Sequence, residues 1–318
     1  MNGLARRLEA AGFGVEDLAP LDGGHSGLTF SVTLVAPSGA RTEAVVKAAP
    51  EGRPAVGRHD VLRQARLFGA LAAAPGVAVP RPLHVDADPP PFFAMERFSG
   101  EALEPILTPA DQHPPPDVVR ARALASARML AALHAVDAAA VAPEPVVTVA
   151  DELDRWSRTM AAVDPALVPG AAELEEALRA AVPADARPGV VHGDYRLGNL
   201  LCAGPTVSGV IDWEIWCLAD PRLDLGWYLV HCDPAEYPGI GVPSPGMPTA
   251  AELRAEYEAA SGAPVADWPW FDAYGRFKLA AIMAHNLKRH REGRHVDPFQ
   301  ERLPPTIAHQ IQRGLAVL

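Results

Sequence analysis

Three polar side chains interrupt apolar, β-prone runs between residues 190 and 214. Asp194 and Asn199 lie between two apolar doublets, at 190–191 and 200–201, and Asp212 directly follows a third doublet. Short apolar runs of this kind are typical of buried strands. A carboxylate on a buried strand is costly unless something balances its charge. The pattern therefore constrains the chain to a fold that gathers these strands, and a divalent metal with a phosphate would balance the carboxylates.

The length of the chain favours two lobes. The 318 residues are many for one core and few for three. The formal net charge of −11 argues against general binding to nucleic acid or to an anionic membrane surface. It suits a cationic or neutral small substrate, although solubility alone also accounts for it.

The cysteine content and the N-terminus bear on the compartment. Three scattered cysteines, at 202, 217 and 232, are too few for a disulfide framework or a zinc site. No long apolar run follows residues 1–7, so we expect no signal peptide, and no stretch approaches the length of a membrane span. We therefore expect a cytoplasmic monomer or homodimer with no nucleic-acid partner and no membrane partner.

The first third of the chain reads as a small, mostly antiparallel sheet. Alternating apolar residues, turn residues and one amphipathic segment carry this prediction. The predicted elements are a short helix at 4–11, a strand–turn–strand unit at 18–34, strands at 44–48, 79–85 and 92–98, and a helix at 59–73.

A glycine-rich turn within 22–27 could bring backbone N–H groups close to an anion, because glycine has no Cβ and tolerates positive φ. Ser26 and Gly27 belong to this turn. An ordinary hairpin with a glycine loop is the alternative, and the pattern alone leaves it open. Lys47 on the next strand is either solvated or placed to meet the phosphates of a nucleotide.

The rest of the chain is mostly helical, because apolar residues recur there at helical spacing. The Pro- and Gly-rich segment 234–248 is predicted to be a loop. The predicted helices cover 117–135, 150–162, 171–181, 249–261, 268–292 and 299–315, with a further helix entered after residue 219.

Taken in order, these elements resemble the aminoglycoside phosphotransferase and choline kinase family. The strongest motif is His192-Gly193-Asp194-x-x-x-x-Asn199, followed after 13 residues by Asp212. The resemblance covers nearly the whole chain. It implies an α+β, bilobal, protein-kinase-like fold, with a small antiparallel-sheet lobe at 1–98, a hinge at about 95–98 and a larger helical lobe at 99–318.

The resemblance implies roles for the motif residues. Phosphoryl transfer depends on positioning and charge neutralisation. Asp194 stands in the position of the residue that holds or accepts the proton of the attacking hydroxyl. Asn199 and Asp212 stand in the positions that bind Mg²⁺, which prefers oxygen ligands and phosphate partners. Arg196 matches a position that often reaches toward the transferred phosphate, and a loop-bracing role is the open alternative.

The resemblance also implies a nucleotide site. Lys47 matches the lysine that steadies the α/β-phosphates, and Ser26 and Gly27 lie in the glycine loop. In the family, the usual helical partner of this lysine is a glutamate. In this chain Gln64 stands at that position, and Asp60 one turn earlier could substitute for the glutamate.

The segment at 95–98 matches the hinge, so backbone groups of Met95, Glu96 and Phe98 are expected to meet the purine. The expected nucleotide is ATP, and GTP is not excluded.

Four further residues are expected to support the site. His134 and His192 are expected to be structural, with His192 bracing the loop around Asp194. Asp224 is expected to hydrogen-bond the backbone of that loop, and Asp220 either acts with Asp224 as an acidic pair or caps a helix.

Within the family, the segments 212–214, 218–221, 247–253 and 271–278 are most similar to a branch whose members stand alone or are fused to acyl-CoA dehydrogenases. The implied activity is a Mg²⁺- and ATP-dependent kinase that phosphorylates a small-molecule hydroxyl, such as a hydroxyacyl-CoA or an amino alcohol. The alternative, motivated by Gln64, is a nucleotide-binding module without catalysis. A hydrolase fits poorly, because no Gly-x-Ser-x-Gly elbow is present.

Overall fold

The computed structural model of the chain describes residues 2–21, 28–52, 57, 60–141 and 143–318. Ser26 and Gly27 lie outside these described residues. Among the helices that are described, none combines the length and the apolar character that crossing a membrane requires.

In the residues that the structure describes, the N-terminal part contains one antiparallel five-stranded sheet and two helices. The strand order is β1-β2-β3-β5-β4, so the hairpins β1–β2–β3 and β4–β5 meet where β3 pairs with β5. The elements are α1 (Asn2–Ala10), β1 (Gly14–Pro20), β2 (Leu28–Val35), β3 (Arg41–Ala48), α2 (Val61–Leu71), β4 (Pro82–Asp86) and β5 (Phe92–Glu96).

The C-terminal part is mainly helical and carries two short antiparallel ladders. The first ladder pairs β6 with β9, and the second pairs β7 with β8. The elements are α3 (Pro116–His134), α4 (Val149–Ala161), α5 (Ala171–Ala180), β6 (Gly189–Val191), β7 (Leu200–Ala203), β8 (Thr206–Val210), β9 (Cys217–Ala219), α6 (Arg222–Val230), α7 (Ala250–Ser261), α8 (Trp268–Arg291) and α9 (Pro304–Val317).

One apolar core joins the two parts below the cleft. Phe68 of α2 packs edge-on against Phe93 of β5 and against Trp213, with ring centroids 5.9 and 6.2 Å apart. Leu200 of β7 belongs to the same buried cluster. Because these side chains come from both parts of the chain, the cleft above them has a packed floor.

Helices α6 and α8 cross with their backbones in contact. A Cβ at Gly226 would overlap the carbonyl oxygen of Phe271, and a Cβ at Gly275 would lie 2.7 Å from the carbonyl oxygen of Gly226. Two glycines facing each other therefore set the separation of these helices. This close crossing brings the middle of α8 against the loop that follows β6.

The predicted fold class is confirmed: an antiparallel sheet precedes a mainly helical remainder. Element ends differ by a few residues. The strand predicted at 92–98 ends at Glu96, although the N–H of Arg97 still donates to the carbonyl of Glu43, the next residue of β3 beyond the Ala44–Glu96 pair. The helix predicted at 299–315 begins at Pro304, whose missing N–H suits the first helical turn. The lobe boundary at residue 98 stays a prediction.

Candidate active site

A cleft of about 520 Å³ lies between the sheet and the helical part. This volume lies within the range of ligand pockets in proteins. Its walls come from β3, from the 95–98 segment at the end of β5, from β7 and from residues 210–214.

The inner end of the cleft is apolar. Val45 and Met95 line it from the sheet, and Leu201 and Ile211 line it from the helical part. Phe98 connects the two parts, because its ring lies against Gly209 of β8, where any side chain would collide with it. An apolar slot beside the backbone of 95–98 fits a flat heteroaromatic ring.

The loop between β6 and β7, residues 192–199, is named here the Asp194 loop. Both oxygens of the Asp194 carboxylate accept hydrogen bonds. Oδ2 accepts a hydrogen bond of 2.7 Å from Asn199 Nδ2, and Oδ1 accepts one of 2.9 Å from Trp227 Nε1. The Arg196 Nε lies 3.4 Å from Oδ1. The carboxylate is thereby fixed in orientation while about a quarter of the Asp194 side chain stays exposed.

Asn199 presents its amide oxygen away from Asp194. Its amide nitrogen donates to both the backbone oxygen and the carboxylate of Asp194. Among the described residues, the Asn199 side chain forms hydrogen bonds only through this nitrogen. Its amide oxygen therefore remains available as a ligand atom. Both Asn199 and Asp212 line the cleft.

Asp212 has a left-handed backbone, with φ 65°. This conformation is unfavourable for most residues, although aspartate tolerates it better than most. Burial raises the pKa of Asp212, and the nearby Glu214 carboxylate raises it further. Asp194 adds to this rise, while Lys47 opposes it. A divalent cation between Asp212 and Asn199 would relieve this unbalanced negative charge, so the residues present fit Mg²⁺.

The described residues do not gather three or more His, Cys, Asp or Glu side chains around one metal position. A magnesium ion held by one amide oxygen and one carboxylate is compatible with this finding. Mg²⁺ usually takes its other ligands from phosphate and water.

Lys47 points from β3 into the cleft toward two partners. Its Nζ lies 3.4 Å from Gln64 Oε1 and 3.9 Å from Glu214 Oε1. Sequence reasoning paired Lys47 with Gln64 but missed Glu214, because the contact joins residues 167 positions apart. The expectation that Asp60 supplies the missing carboxylate is wrong, since Asp60 caps α2 by accepting from Arg63 N at 3.0 Å.

Arg196 is braced by a buried carboxylate from the segment after β5. Its Nη1 donates to Glu104 Oε2 at 3.1 Å, and the same oxygen accepts from Gly198 N. Burial raises the pKa of Glu104, while that of Arg196 is raised because Asp194 and Glu104 outweigh its own burial. Arg196 therefore contacts both Glu104 and Asp194, and sequence reasoning missed Glu104.

Asp224 supports the Asp194 loop from below, as predicted. Its carboxylate accepts from the backbone N–H of His192 at 2.6 Å and of Gly193 at 2.9 Å. Although burial acts to raise the pKa of Asp224, the adjacent His134 and His192 hold it below its usual range. His134 Nε2 lies 3.6 Å from this carboxylate.

His192 has the bracing role that the sequence predicts. Its Nε2 lies 2.9 Å from the carbonyl of Ile211, and its Nδ1 accepts from Asp194 N at 3.1 Å. His134 is also structural, with Nδ1 2.9 Å from the hydroxyl of Tyr257. Asp220 accepts from Arg222 N at 2.9 Å at the start of α6, which is a capping contact.

Lys278 is a further residue that supports the Asp194 loop and that sequence reasoning missed. It lies buried on α8, donates to the carbonyl of Gly193 and stands 4.1 Å from the ring centroid of Trp227. Burial lowers the pKa of Lys278, against the opposing charges of Glu152 and Asp194. No local motif marks Trp227 or Lys278, because tertiary packing alone brings α6 and α8 to the loop.

Comparisons with known proteins agree with this architecture. A family model described as "Phosphotransferase enzyme family" matches residues 17–274. Acyl-CoA dehydrogenase family member 10 from Mus musculus is 29% identical over an alignment of 298 positions, and the match covers 88% of this chain but only 27% of the mouse protein. The chain thus spans about a quarter of the length of that relative.

Solved structures show the same fold. A protein from Ralstonia eutropha JMP134, assigned as an aminoglycoside phosphotransferase, has a TM-score of 0.78 with 24% identity, covering 99% of this chain and 97% of that one. An aminoglycoside phosphotransferase in complex with GDP and kanamycin has a TM-score of 0.63 with 16% identity, covering 98% of each chain.

Proposed function

The chain belongs to the phosphotransferase enzyme family, and from this premise we propose that it is an ATP-dependent kinase that transfers the γ-phosphoryl group to the hydroxyl of a small molecule. The observation that carries the proposal is the Asp194 carboxylate, which Asn199 and Trp227 orient, together with the adjoining cleft that Asn199, Lys47 and Asp212 line. A fixed carboxylate beside a nucleotide-sized cleft is the arrangement that positioning a hydroxyl for phosphoryl transfer requires.

In this proposal, the two ends of the cleft would hold different parts of the nucleotide. The purine would lie in the apolar slot between Val45 and Ile211, with its edge toward the backbone of Met95, Glu96 and Phe98. The phosphates would meet Lys47 and the glycine-rich turn that contains Ser26 and Gly27, which lies outside the described residues. A structural neighbour with GDP supports a nucleotide in this cleft, and the side chains do not separate ATP from GTP.

Asp194 has two functions in the proposed reaction. It orients the acceptor hydroxyl toward the γ-phosphorus and takes the hydroxyl proton as the new P–O bond forms and the bond from the γ-phosphorus to the β–γ bridging oxygen breaks, which releases ADP. Its own position does not depend on substrate, because Asn199 and Trp227 hold both carboxylate oxygens. Asn199 Oδ1 and Asp212 would hold Mg²⁺, which neutralises charge on the phosphates when bound.

Arg196 has a supporting function. The pair with Glu104 keeps its guanidinium beside Asp194, where its positive charge favours the ionised carboxylate.

The acceptor is proposed from the relatives. The mouse relative carries the name of an acyl-CoA dehydrogenase, which favours a hydroxyacyl-CoA acceptor. The neighbour with kanamycin favours an amino-sugar or amino alcohol. The panel that tests the activity should therefore contain both classes.

The test compares wild type with Asp194→Asn, and Asp111→Asn is the matched control on an exposed 3-10 turn. ADP formation from Mg-ATP is measured across hydroxyacyl-CoA and amino alcohol acceptors. We expect turnover to fall by about 10²–10⁴-fold in Asp194→Asn, the usual contribution of a positioned proton acceptor, and to be unchanged in Asp111→Asn. Equal turnover by wild type and Asp194→Asn would overturn the proposal.

The alternative function, nucleotide binding without catalysis, rests on Gln64 in place of the usual glutamate. It predicts that Mg-ATP raises the melting temperature of wild type while ADP is not formed with any acceptor of the panel. A flat melting temperature with no turnover contradicts both functions.

A further inference from the structure

We propose that Arg63 is a positioning residue that fixes both partners of Lys47, Gln64 on α2 and Glu214 after β8, so that a carboxylate outside the helix takes the place of the missing helical glutamate. The inference rests on the proposed function, because it assumes that nucleotide phosphates meet Lys47. It adds the residue that holds the phosphate side of the cleft together.

The side chain of Arg63 joins three separate parts of the chain. From α2 its Nε pairs with Glu144 Oε1 at 2.7 Å, and its Nη2 donates to the carbonyl of Trp216 at 2.7 Å. The guanidinium carbon also lies 4.0 Å from the ring centroid of Trp216. Side-chain exposures of 15% for Arg63 and 10% for Glu144 leave little room for water to compete with these contacts.

The position of Arg63 in the sequence couples it to both partners of Lys47. Gln64 is the next residue on α2, and Glu214 lies two residues before Trp216. One guanidinium therefore holds α2 against the 212–217 segment at the point where each presents a group to the ammonium of Lys47.

The two contacts of Lys47 need this support because each is long. The amide of Gln64 at 3.4 Å carries no charge, and the carboxylate of Glu214 stands at 3.9 Å. Asp212 lies near the same ammonium and the same Glu214 carboxylate. If Glu214 were displaced, the ammonium of Lys47 would pair with Asp212, the proposed magnesium ligand, and both would be withdrawn from the nucleotide.

The burial of α2 does not depend on Arg63. The helix packs through Val61, Leu67, Phe68 and Leu71, all of which are buried. Arg66, one turn later on the same helix, is exposed. A substitution at Arg66 is therefore a matched control for the loss of an arginine from α2.

The first experiment measures the affinities of wild type, Arg63→Lys and Arg66→Lys for Mg-ATP and for adenosine by titration calorimetry. Lysine keeps the charge beside Glu144 but cannot bond Trp216 O and stack on its ring at the same time. We expect Arg63→Lys to bind Mg-ATP about tenfold more weakly, or about 1.4 kcal/mol, with adenosine affinity unchanged. Arg66→Lys should match wild type for both ligands.

The second experiment moves the carboxylate. Glu214→Gln should weaken Mg-ATP binding about tenfold, and adding Gln64→Glu in the same chain should restore most of the lost affinity, because the negative charge returns to Lys47 from the helix. Melting temperatures of all variants are recorded, so that a loss of stability is distinguished from a loss of affinity. If the role of Glu214 were merely structural, Gln64→Glu would not rescue Mg-ATP affinity.

The outcomes separate the inference from the proposed function. Failure of wild type to bind Mg-ATP overturns both. Binding and turnover by wild type, with an unchanged ratio of Mg-ATP to adenosine affinity in Arg63→Lys, overturns this inference alone. The same conclusion follows if Gln64→Glu fails to rescue Glu214→Gln.

Discussion

On one side of the cleft Asp194 is held by three neighbours at 2.7–3.4 Å, whereas on the other side Lys47 reaches its two partners at 3.4 and 3.9 Å. Buried groups surround the Asp194 loop, and Asp224 beneath it is 1% exposed. The loop is thus preorganised by the protein. On the Lys47 side, the short contacts are those of Arg63, which holds the partners of Lys47 and does not touch Lys47 itself. Bound nucleotide would therefore complete the contacts of Lys47.

The difference matters for catalysis. Groups fixed before the reaction cost no reorganisation when charge develops, and Asp194, the proposed proton acceptor, is on the fixed side. The side that receives the nucleotide is held more loosely, which suits a ligand that must enter and leave. Five predictions test this division.

The largest expected effect comes from breaking the fixed side with Asp224→Asn. Asparagine cannot accept both backbone hydrogen bonds with the charge of the carboxylate, and His134 loses its partner. We expect the free energy of unfolding to fall by about 3–5 kcal/mol at pH 7, measured by denaturant unfolding. A loss below about 1 kcal/mol would mean that the Asp194 loop is not held by Asp224.

The same variant carries a pH signature. The folded pKa of Asp224 is lowered, so its stabilising contribution is fully present above the unfolded pKa of about 3.9 and is lost as the pH falls through the lower folded pKa. The stability difference between wild type and Asp224→Asn should therefore be constant from neutral pH to about 5 and should shrink below about 4. A difference that grows on acidification contradicts this assignment.

Ligand binding should stabilise the looser side. Mg-ATP at 100 times its dissociation constant should add about 2.7 kcal/mol to the free energy of unfolding. In hydrogen exchange, the gain in protection should be larger in β3 and α2 than in the Asp194 loop. Equal gains on both sides would remove the distinction drawn above.

A smaller effect is expected from Trp227→Phe, which deletes the hydrogen bond to Asp194 Oδ1 but keeps an aromatic ring near Lys278. Loss of one hydrogen bond to a charged group should lower kcat about tenfold, with the KM for ATP unchanged. Trp270→Phe is the control, since Trp270 Nε1 bonds the carbonyl of Leu178 away from the cleft. Unchanged kcat in Trp227→Phe would show that Asn199 alone orients Asp194.

The smallest effect should be that of Lys47→Met on stability. Its long contacts predict a change in unfolding free energy below about 1 kcal/mol, even though Mg-ATP affinity falls about tenfold or more. Lys288→Met, which removes a similarly long 3.8 Å pair with Glu292, is the control and should leave affinity unchanged. Severe destabilisation by Lys47→Met would place Lys47 on the preorganised side.

The sequence predicted the parts of the site that a motif encodes. The spacing of Asp194, Asn199 and Asp212 located the loop, and the fold class followed from the order of strands and helices. Asp224 was also placed correctly, because Asp220 and Asp224 resemble the acidic pair that follows the metal-binding residue in the family. In each case the relevant neighbours are close in sequence or follow a regular pattern.

The parts it missed depend on long-range packing. Trp227 and Lys278 approach the loop only through the crossing of α6 and α8. Glu104 comes from 92 positions before Arg196. Asp60 was misplaced because a local preference won: an aspartate before a helix accepts from the first-turn backbone and is no longer available to a lysine across the cleft.

The glycine pair at the α6–α8 crossing has a consequence for how such an enzyme can be changed. Gly226 and Gly275 leave no space into which either helix could shift, so Lys278 stays in register with Gly193. Saturation mutagenesis should find almost no tolerated replacement at either glycine, although neither touches a ligand. Redesign for a bulkier acceptor would have to remodel the loops at the rim, because this pivot fixes the distance between the two helices.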